Sequence, residues 1–308
     1  MTDSAKTDSG MTGTVGIVVV TFSPGDALNS FLDSVPAATS RPTRIIMADN
    51  GSTDGSVEAA AAAGRAELLR TGGNLGYGSA ANRGVAALPA EIEYVMVANP
   101  DVVLGAGSVD TLLAAARDNP RAGALGPAIR TPDGALYPSA RRLPTLSAGA
   151  GHAVLGWLWP RNPWTRAYRA EDEKVGRRTA GWLSGSCLLL RRAAFDDVGG
   201  FDERYFMYFE DIDLADRLMK AGWQNLYVPD AEVEHIGGHA TERTPGRMLD
   251  EHHRSAYRYL ADRRPARWQA PIRWGLKGAL TARAAVARRS RKVAAGAAID
   301  GSINKGEN

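Results

Sequence analysis

Val15-Gly16-Ile17-Val18-Val19-Val20-Thr21-Phe22 is the run on which the reading of the fold turns. It is rich in β-branched residues, apolar without alternation, and closed off by Pro24 and Gly25. A strand with one wet face alternates; an unbroken apolar run suits a strand buried on both faces of a parallel sheet. The chain then changes period. Asp26 to Val35 carries Leu28, Phe31, Leu32 and Val35 at helical spacing, and Arg44 to Ala48 reads as a second strand. That strand stops in Asp49-Asn50-Gly51-Ser52; an alanine-rich helix over Ser56 to Gly64 and a short strand over Glu67 to Arg70 follow. This alternation predicts a doubly wound α/β fold, a mostly parallel sheet flanked by helices. Ligands of such sheets lie beyond the carboxyl ends of the strands, where Thr21 and Asp49 fall.

Working outward, Gly72 to Gly84 reads GGNLGYGSAANRG. Its five glycines permit close backbone approach, and the helix expected from Ser79 to Val85 begins where a phosphate would be welcome. The spacing is neither the dinucleotide fingerprint nor a P-loop. Glu93 to Ala98 predicts another strand, which runs into Asn99-Pro100-Asp101. Pro100 ends it and puts Asp101 at the ligand edge, where a carboxylate can hold a hard divalent cation or serve as a turn residue. Asp110 to Asn119 is helical in pattern, and Ala124 to Arg130 with the turn Pro132-Asp133-Gly134 predicts an edge hairpin. Ser139 to Trp164 is irregular, with Arg141, Arg142, Trp157, Trp159 and Trp164, in the manner of a lid or partner surface. Trp182 to Leu190 predicts a strand broken at Gly185, and Arg191 to Val198 a short helix.

Arg204 to Trp223, RYFMYFEDIDLADRLMKAGW, sets five aromatic residues around Glu210, Asp211 and Asp213. On a helix from Asp211, that residue shares a sector with Leu214, Ala215, Leu218 and Gly222, whereas Asp213, Asp216, Arg217 and Lys220 fall on the solvated side. Asp211 is therefore the acid aimed at a core or cleft. Aromatic surroundings raise its pKa and the helix start lowers it, a combination suited to a general base. An acid-rich first turn serving only the helix dipole fits the same letters. Gln224 to Val228 predicts a strand. His235 and His239 have the spacing of a zinc-binding helical pair, but Gly237 and Gly238 intervene and defeat the helix. What remains for His235 is a loop histidine joining a metal held by Asp101.

Composition narrows the class. Of 308 residues, 44% are hydrophobic and 23% charged, enough for a large core, and the net charge of +3 argues against a nucleic-acid binder. The single cysteine, Cys187, can form no internal disulfide and suits a reducing compartment. No apolar run reaches membrane-spanning length, and the polar start carries no signal-peptide core, so a cytoplasmic location is expected. From Arg263 to Lys292 there are ten Lys or Arg and no acid, with Trp268, Ile272, Leu276 and Leu280 four residues apart. A basic amphipathic helix of this kind predicts attachment to an anionic membrane surface.

Taken in order, VVVTF, DNGSTDGS, NLGYGSAANRG, NPDV, GGFDERYFMYFEDIDLADRLMKAGW and VEHIGG resemble the family 2 glycosyltransferases of GT-A fold, over about Val15 to Gly238. Within that family the similarity is to bacterial rhamnosyltransferases. The expected organisation is a disordered lead-in (1–13) and a C-terminal helical basic extension (263–308), both from composition, around the GT-A domain that the resemblance implies (14–262; donor half about 14–130, acceptor half about 131–262). It implies inverting transfer of L-rhamnose from dTDP-L-rhamnose to a polyprenyl-diphosphate-linked N-acetylglucosamine in cell-wall synthesis, at the inner face of the plasma membrane. By position, Asp211 is the implied catalytic base. Thr21, Asp49, Gly76, Asn82 and Asn99 are the implied donor residues. Asp101 and His235 would hold Mg²⁺ or Mn²⁺, and Asn99 stands where many relatives have Asp. Arg141, Arg142, Trp182, Gly185 and Glu210 are expected on the acceptor side. A UDP donor of another sugar, or a binding module without turnover, would share much of this pattern.

Overall fold

The computed structural model describes residues 13–144, 176–237 and 245–281. Its order is β1 (Val15–Thr21), α1 (Ala27–Ala38), β2 (Thr43–Asp49), α2 (Ser56–Ala62), β3 (Glu67–Arg70), α3 (Tyr77–Ala87), β4 (Tyr94–Ala98), β5 (Val102–Leu104), α4 (Ser108–Asp118) and β6 (Ala122–Arg130). Then come β7 (Leu136–Tyr137), β8 (Ala140–Arg141), β9 (Arg178–Ala180), β10 (Trp182–Leu183), β11 (Cys187–Arg191), α5 (Arg192–Asp197), α6 (Glu210–Lys220), β12 (Gln224–His235) and α7 (Pro245–Asp262).

Every residue of β1 is buried, because the strand serves two cores at once. Ile17 and Val19 pack with Leu28, Phe31 and Leu112 on one face, while Val18 and Val20 pack with Ala81, Val85, Phe195 and Leu214 on the other. Side chains alternate across a strand, so the unbroken apolar run feeds both layers. The sheet order is β3-β2-β1-β4-β11-β6-β12-β5. β1 is parallel to β2 and β4, β2 to β3, and β6 to β12, whereas β11 runs antiparallel to both β4 and β6 and β5 antiparallel to β12. The sheet is thus mostly parallel, with helices on both faces, as expected.

Three expectations need correction. β6 is interior, between β11 and β12; only its far end makes a hairpin with β7. His235 is the last residue of a twelve-residue strand rather than part of a loop. Pro229 interrupts the sequence pattern there, but a register shift between Val228 and Glu232 absorbs it, which is how sheets tolerate proline. Asp213 and Asp216 are buried rather than solvated. Arg217 Nε reaches Asp213 at 2.7 Å and Lys220 Nζ reaches Asp216 at 2.6 Å, so each acid sits beneath a partner one helical turn on.

Met207–Phe209 and the C-terminal segment form a second compact unit, distinct from that holding the sheet. Within it, Trp268 and Trp274 are exposed and residues 270–281 are helical. The lead-in, the Trp157–Trp164 cluster, His239 and the tail beyond 281 lie outside the described residues.

Candidate active site

β1, β2 and β4 all end on one edge of the sheet, in Thr21, Asp49 and Ala98. Thr21 Oγ1 donates to Asp49 Oδ1 at 3.0 Å, and Ser52 N and Arg70 Nη1 also donate to this carboxylate, at 3.1 and 2.9 Å. The Asp49 side chain is fully enclosed by these donors, so it ties the ends of β1, β2 and β3 together rather than presenting a bare carboxylate. Ser52 and Arg70 escaped the sequence reading, since nothing local marks a residue that serves a carboxylate three or twenty-one positions away. Gly76 has φ +91°, and a Cβ there would lie 2.2 Å from the Phe206 carbonyl oxygen. That carbonyl accepts the Tyr77 amide at 3.0 Å, so the first amide of α3 is taken by backbone and not offered to phosphate. Asn82 holds the same segment: its Nδ2 donates to Phe201 O and its Oδ1 accepts from Phe201 N, both at 2.9 Å. Its amide therefore fixes the 201–206 segment instead of facing a donor.

Beyond β4, Asn99, Asp101 and His235 come together. His235 Nε2 lies 3.1 Å from Asp101 Oδ1 and 3.4 Å from Asn99 Nδ2. Pairing of β12 with β5 sets His235 opposite Val102, and Ile236 N donates to Asp101 O at 3.0 Å. The two ends are locked by backbone, which is why residues 134 positions apart meet.

The loop Ser184–Ser186, in the gap between β10 and β11, connects this cluster to Asp211. Ser186 O accepts from Asn99 N at 2.9 Å, and one residue earlier Gly185 N donates to Asp211 Oδ2 at 3.0 Å. Tyr77 Oη donates to Gly185 O at 2.6 Å. Tyr77 is a neighbour of this loop that the sequence reading passed over; the signal for it was an aromatic within a glycine-rich run. Burial pushes its phenol well above the usual range, reinforced by Glu210, Cys187, Asp211 and Asp101, so the carboxylates from the two ends of the site share one neighbourhood.

Glu210 and Asp211 are adjacent acids. Burial pushes Glu210 up to about 8, and the adjacent Asp211 adds to this. Glu210 Oε2 is buried with no hydrogen-bond partner among the described residues, so a charge at that oxygen is costly, although the backbone amide of Glu210 opposes the shift. Burial also raises Asp211, but the Gly185 and Ile212 amides and the Arg141 guanidinium oppose it. Burial thus raises both acids, while the Gly185 and Ile212 amides and Arg141 favour the ionised form of Asp211. Arg141 stands opposite Trp182 in the β8–β10 pair, with its guanidinium carbon 5.5 Å from the ring centroids of both Trp182 and Tyr137. Trp182 Nε1 donates to Arg142 O at 3.1 Å. Among the described residues no group of three or more His, Cys, Asp or Glu could hold a metal ion by itself.

Residues 16–199 match the family described as Glycosyl transferase family 2, and residues 167–292 match Glycosyl transferase family group 2. The chain is similar to the N-acetylglucosaminyl-diphospho-decaprenol L-rhamnosyltransferase of Mycobacterium tuberculosis, 55% identical over 290 residues, which cover 91% of this chain and 94% of the relative. It is also similar to Rhamnosyltransferase WbbL of Escherichia coli K12, 32% identical over 200 residues, 63% of this chain and 73% of that one. The solved structure of GalNAc-T7 with UDP, GalNAc and Mn2+ superposes with a TM-score of 0.54 at 16% identity, over 73% of this chain and 44% of that chain. S. aureus TarS superposes with a TM-score of 0.51 at 14% identity, over 79% and 39%. At such identities the two structures speak to the fold alone, and they agree with a GT-A architecture. With the sheet, the shared loop and the family match in hand, the chain belongs to glycosyl transferase family 2.

Proposed function

We propose that this glycosyltransferase moves L-rhamnose from dTDP-L-rhamnose to a polyprenyl-diphosphate-linked N-acetylglucosamine, with inversion and with the help of a divalent cation. The observation that carries the chemistry is the loop Ser184–Ser186, bonded at one residue to Asp211 and at the next to the Asn99–Asp101 turn. The 55% identity across nearly the whole of both chains supports the choice of donor and acceptor.

Asp211 accepts the proton of the attacking acceptor hydroxyl, a poor nucleophile near neutral pH. Gly185 N–H holds the carboxylate in direction, and the neighbouring Glu210 is pushed by burial toward its protonated form. Asp101 and His235 fit a cation: one carboxylate oxygen and one imidazole nitrogen lie 3.1 Å apart, both partly exposed, and the substrate's diphosphate oxygens would complete the shell. When bound, Mg²⁺ or Mn²⁺ supplies Lewis-acid stabilisation of the leaving diphosphate. Asn99 in place of a second acid leaves the site less negative, which makes the substrate's diphosphate a larger share of the binding. Thr21 and Asp49 shape the nucleoside side. Arg141, backed by two aromatic rings, suits the acceptor's diphosphate.

No described helix is long and apolar enough to cross a membrane. The exposed Trp268 and Trp274 among basic residues support peripheral attachment at the inner face of the plasma membrane, where a lipid-linked acceptor resides. The test is purified protein with dTDP-rhamnose, Mg²⁺ and a short-chain polyprenyl-diphosphate N-acetylglucosamine, read by mass spectrometry. One added deoxyhexose is expected; transfer from a UDP-sugar and not from dTDP-rhamnose would replace the donor assignment.

A further inference from the structure

Gly185 lies just past the point where the sheet lets go of the chain. The β11–β4 ladder pairs Cys187 with Ala98, and one further bond extends it, from Asn99 N to Ser186 O at 2.9 Å. On the other side Ser184 N donates to Ser139 O at 2.8 Å. The residues flanking Gly185 are thus held by backbone, whereas both polar groups of Gly185 itself go to side chains. Its amide donates to Asp211 Oδ2 at 3.0 Å, and its carbonyl accepts from Tyr77 Oη at 2.6 Å. A carbonyl oxygen has no proton to give, so the phenol is the donor. The phenol is held in its turn. Tyr77 N donates to Phe206 O at 3.0 Å, and the Tyr77 ring meets the Phe201 ring edge-on at 6.1 Å. Phe201 is buried, and its N–H and C=O are both bonded to the Asn82 side-chain amide.

We propose that Tyr77 is a positioning residue for the transfer step: its hydroxyl fixes the Gly185 carbonyl and so aims the Gly185 amide at the Asp211 carboxylate. This rests on the reading of Asp211 as the proton acceptor. Glycine has no side chain to restrict the peptides on either side of it, so their direction must be set from outside. With the carbonyl pinned, the amide keeps its aim. With it released, amide and carboxylate can shift by a few tenths of an ångström, enough to cost roughly tenfold in rate at a reacting group. The cation side stays out of this, because the Asn99–Ser186 bond continues the β4–β11 ladder and needs no phenol. The hydroxyl therefore acts on the base alone.

The test uses the full chain carrying Tyr77→Phe, alone and together with Asp211→Asn. Single-turnover rates at saturating dTDP-rhamnose are measured with the short-chain acceptor. Donor affinity and metal titration by calorimetry, and the folded fraction at the assay temperature, are measured beside them. Phenylalanine keeps the ring against Phe201 and removes one oxygen. Tyr77→Phe should lower the rate about tenfold, with donor Kd, metal titration and folded fraction as in wild type. In the Asp211→Asn chain the same substitution should change the rate by no more than about twofold, because no base is left to aim. Should that rate fall below detection, Gly185→Ala takes the place of Asp211→Asn; its amide is already displaced, and the same absence of further loss is expected. A wild-type rate in Tyr77→Phe overturns the proposal. So does a loss that persists in full in the double variant, or one that follows donor affinity, metal titration or the folded fraction. Asp211→Asn alone separates the two failures: near wild-type turnover there sinks the proton-acceptor reading, whereas a large loss there beside an unaffected Tyr77→Phe sinks only the role of the phenol.

Discussion

The Gly185 amide donates to Asp211 Oδ2 at 3.0 Å, and a Cβ on Gly185 would lie 3.2 Å from the Asp211 Cβ. The bond favours the ionised carboxylate and fixes its direction, and only glycine allows the backbone to come so near. Gly185→Ala should therefore push the carboxylate aside by a few tenths of an ångström. Displacements of that order at a reacting group cost roughly tenfold in rate. We expect kcat to fall by about that factor with donor KM little changed. A loss confined to KM would mean that the loop serves binding and not the base.

Asp211→Asn keeps an oxygen for the Gly185 amide and removes the proton acceptor. General-base catalysis is worth about 10²–10⁴ in rate, so turnover should drop through that range. Donor affinity by calorimetry should be unchanged. Near wild-type turnover in this variant would take the base assignment away.

Glu210→Gln separates the two adjacent acids. Glu210 is raised from its ordinary value of 4.5 to about 8, so the folded state binds this proton more tightly than the unfolded chain does. The sign follows from linkage: its contribution is fully present below about pH 4.5 and is lost as pH climbs through 8. Glutamine mimics the protonated acid and does not titrate. The thermal midpoint of Glu210→Gln should gain on that of wild type as pH rises from 5 to 8.5, with turnover near neutrality largely kept. Parallel midpoint curves, or a collapse of turnover equal to that of Asp211→Asn, would show that Glu210 works as an anion.

How far the sequence carried this picture can be read from individual residues. Val15–Thr21 was legible because burial on both faces leaves a local mark, an apolar run without alternation. Asp211 could be set on the helix side that meets the Ser184–Ser186 loop because angular position on a helix follows from spacing, and it accepts the Gly185 amide there. Asp213 and Asp216 were not, since a helical wheel gives direction but not the Arg217 and Lys220 side chains that cover them. Asn82 and the start of α3 were read toward a ligand when tertiary contacts with Phe201 and Phe206 had already taken their polar groups. The meeting of Asp101 with His235 depends on β12 pairing with β5, a register that no local pattern encodes.

Asp101→Ala should abolish the increase in donor affinity that Mg²⁺ or Mn²⁺ produces, because it removes the one carboxylate of the Asp101–His235 pair. His235→Ala leaves that carboxylate and should weaken metal titration without abolishing it. Binding of the free nucleoside, on the Thr21–Asp49 side, should be the same in both. An unaltered metal titration in Asp101→Ala would move the cation elsewhere.

The C-terminal segment supplies the last prediction. Trp268 is 76% exposed and Trp274 71%, within a stretch whose charges are all positive from Arg263 to Lys292. Indole rings left in water beside cationic side chains gain by entering the headgroup region of an anionic bilayer, and each Lys or Arg near the surface adds on the order of 1 kcal/mol. The double variant Trp268→Ala/Trp274→Ala keeps the charges and removes the rings. In co-sedimentation with phosphatidylglycerol vesicles it should bind several-fold more weakly than the parent chain, and both should release in high salt. Turnover of a water-soluble acceptor should be unaffected, because neither ring belongs to the Asp211 site. Equal sedimentation of the two proteins would leave attachment to charge alone; failure of the wild-type chain to sediment at all would remove the membrane from the account.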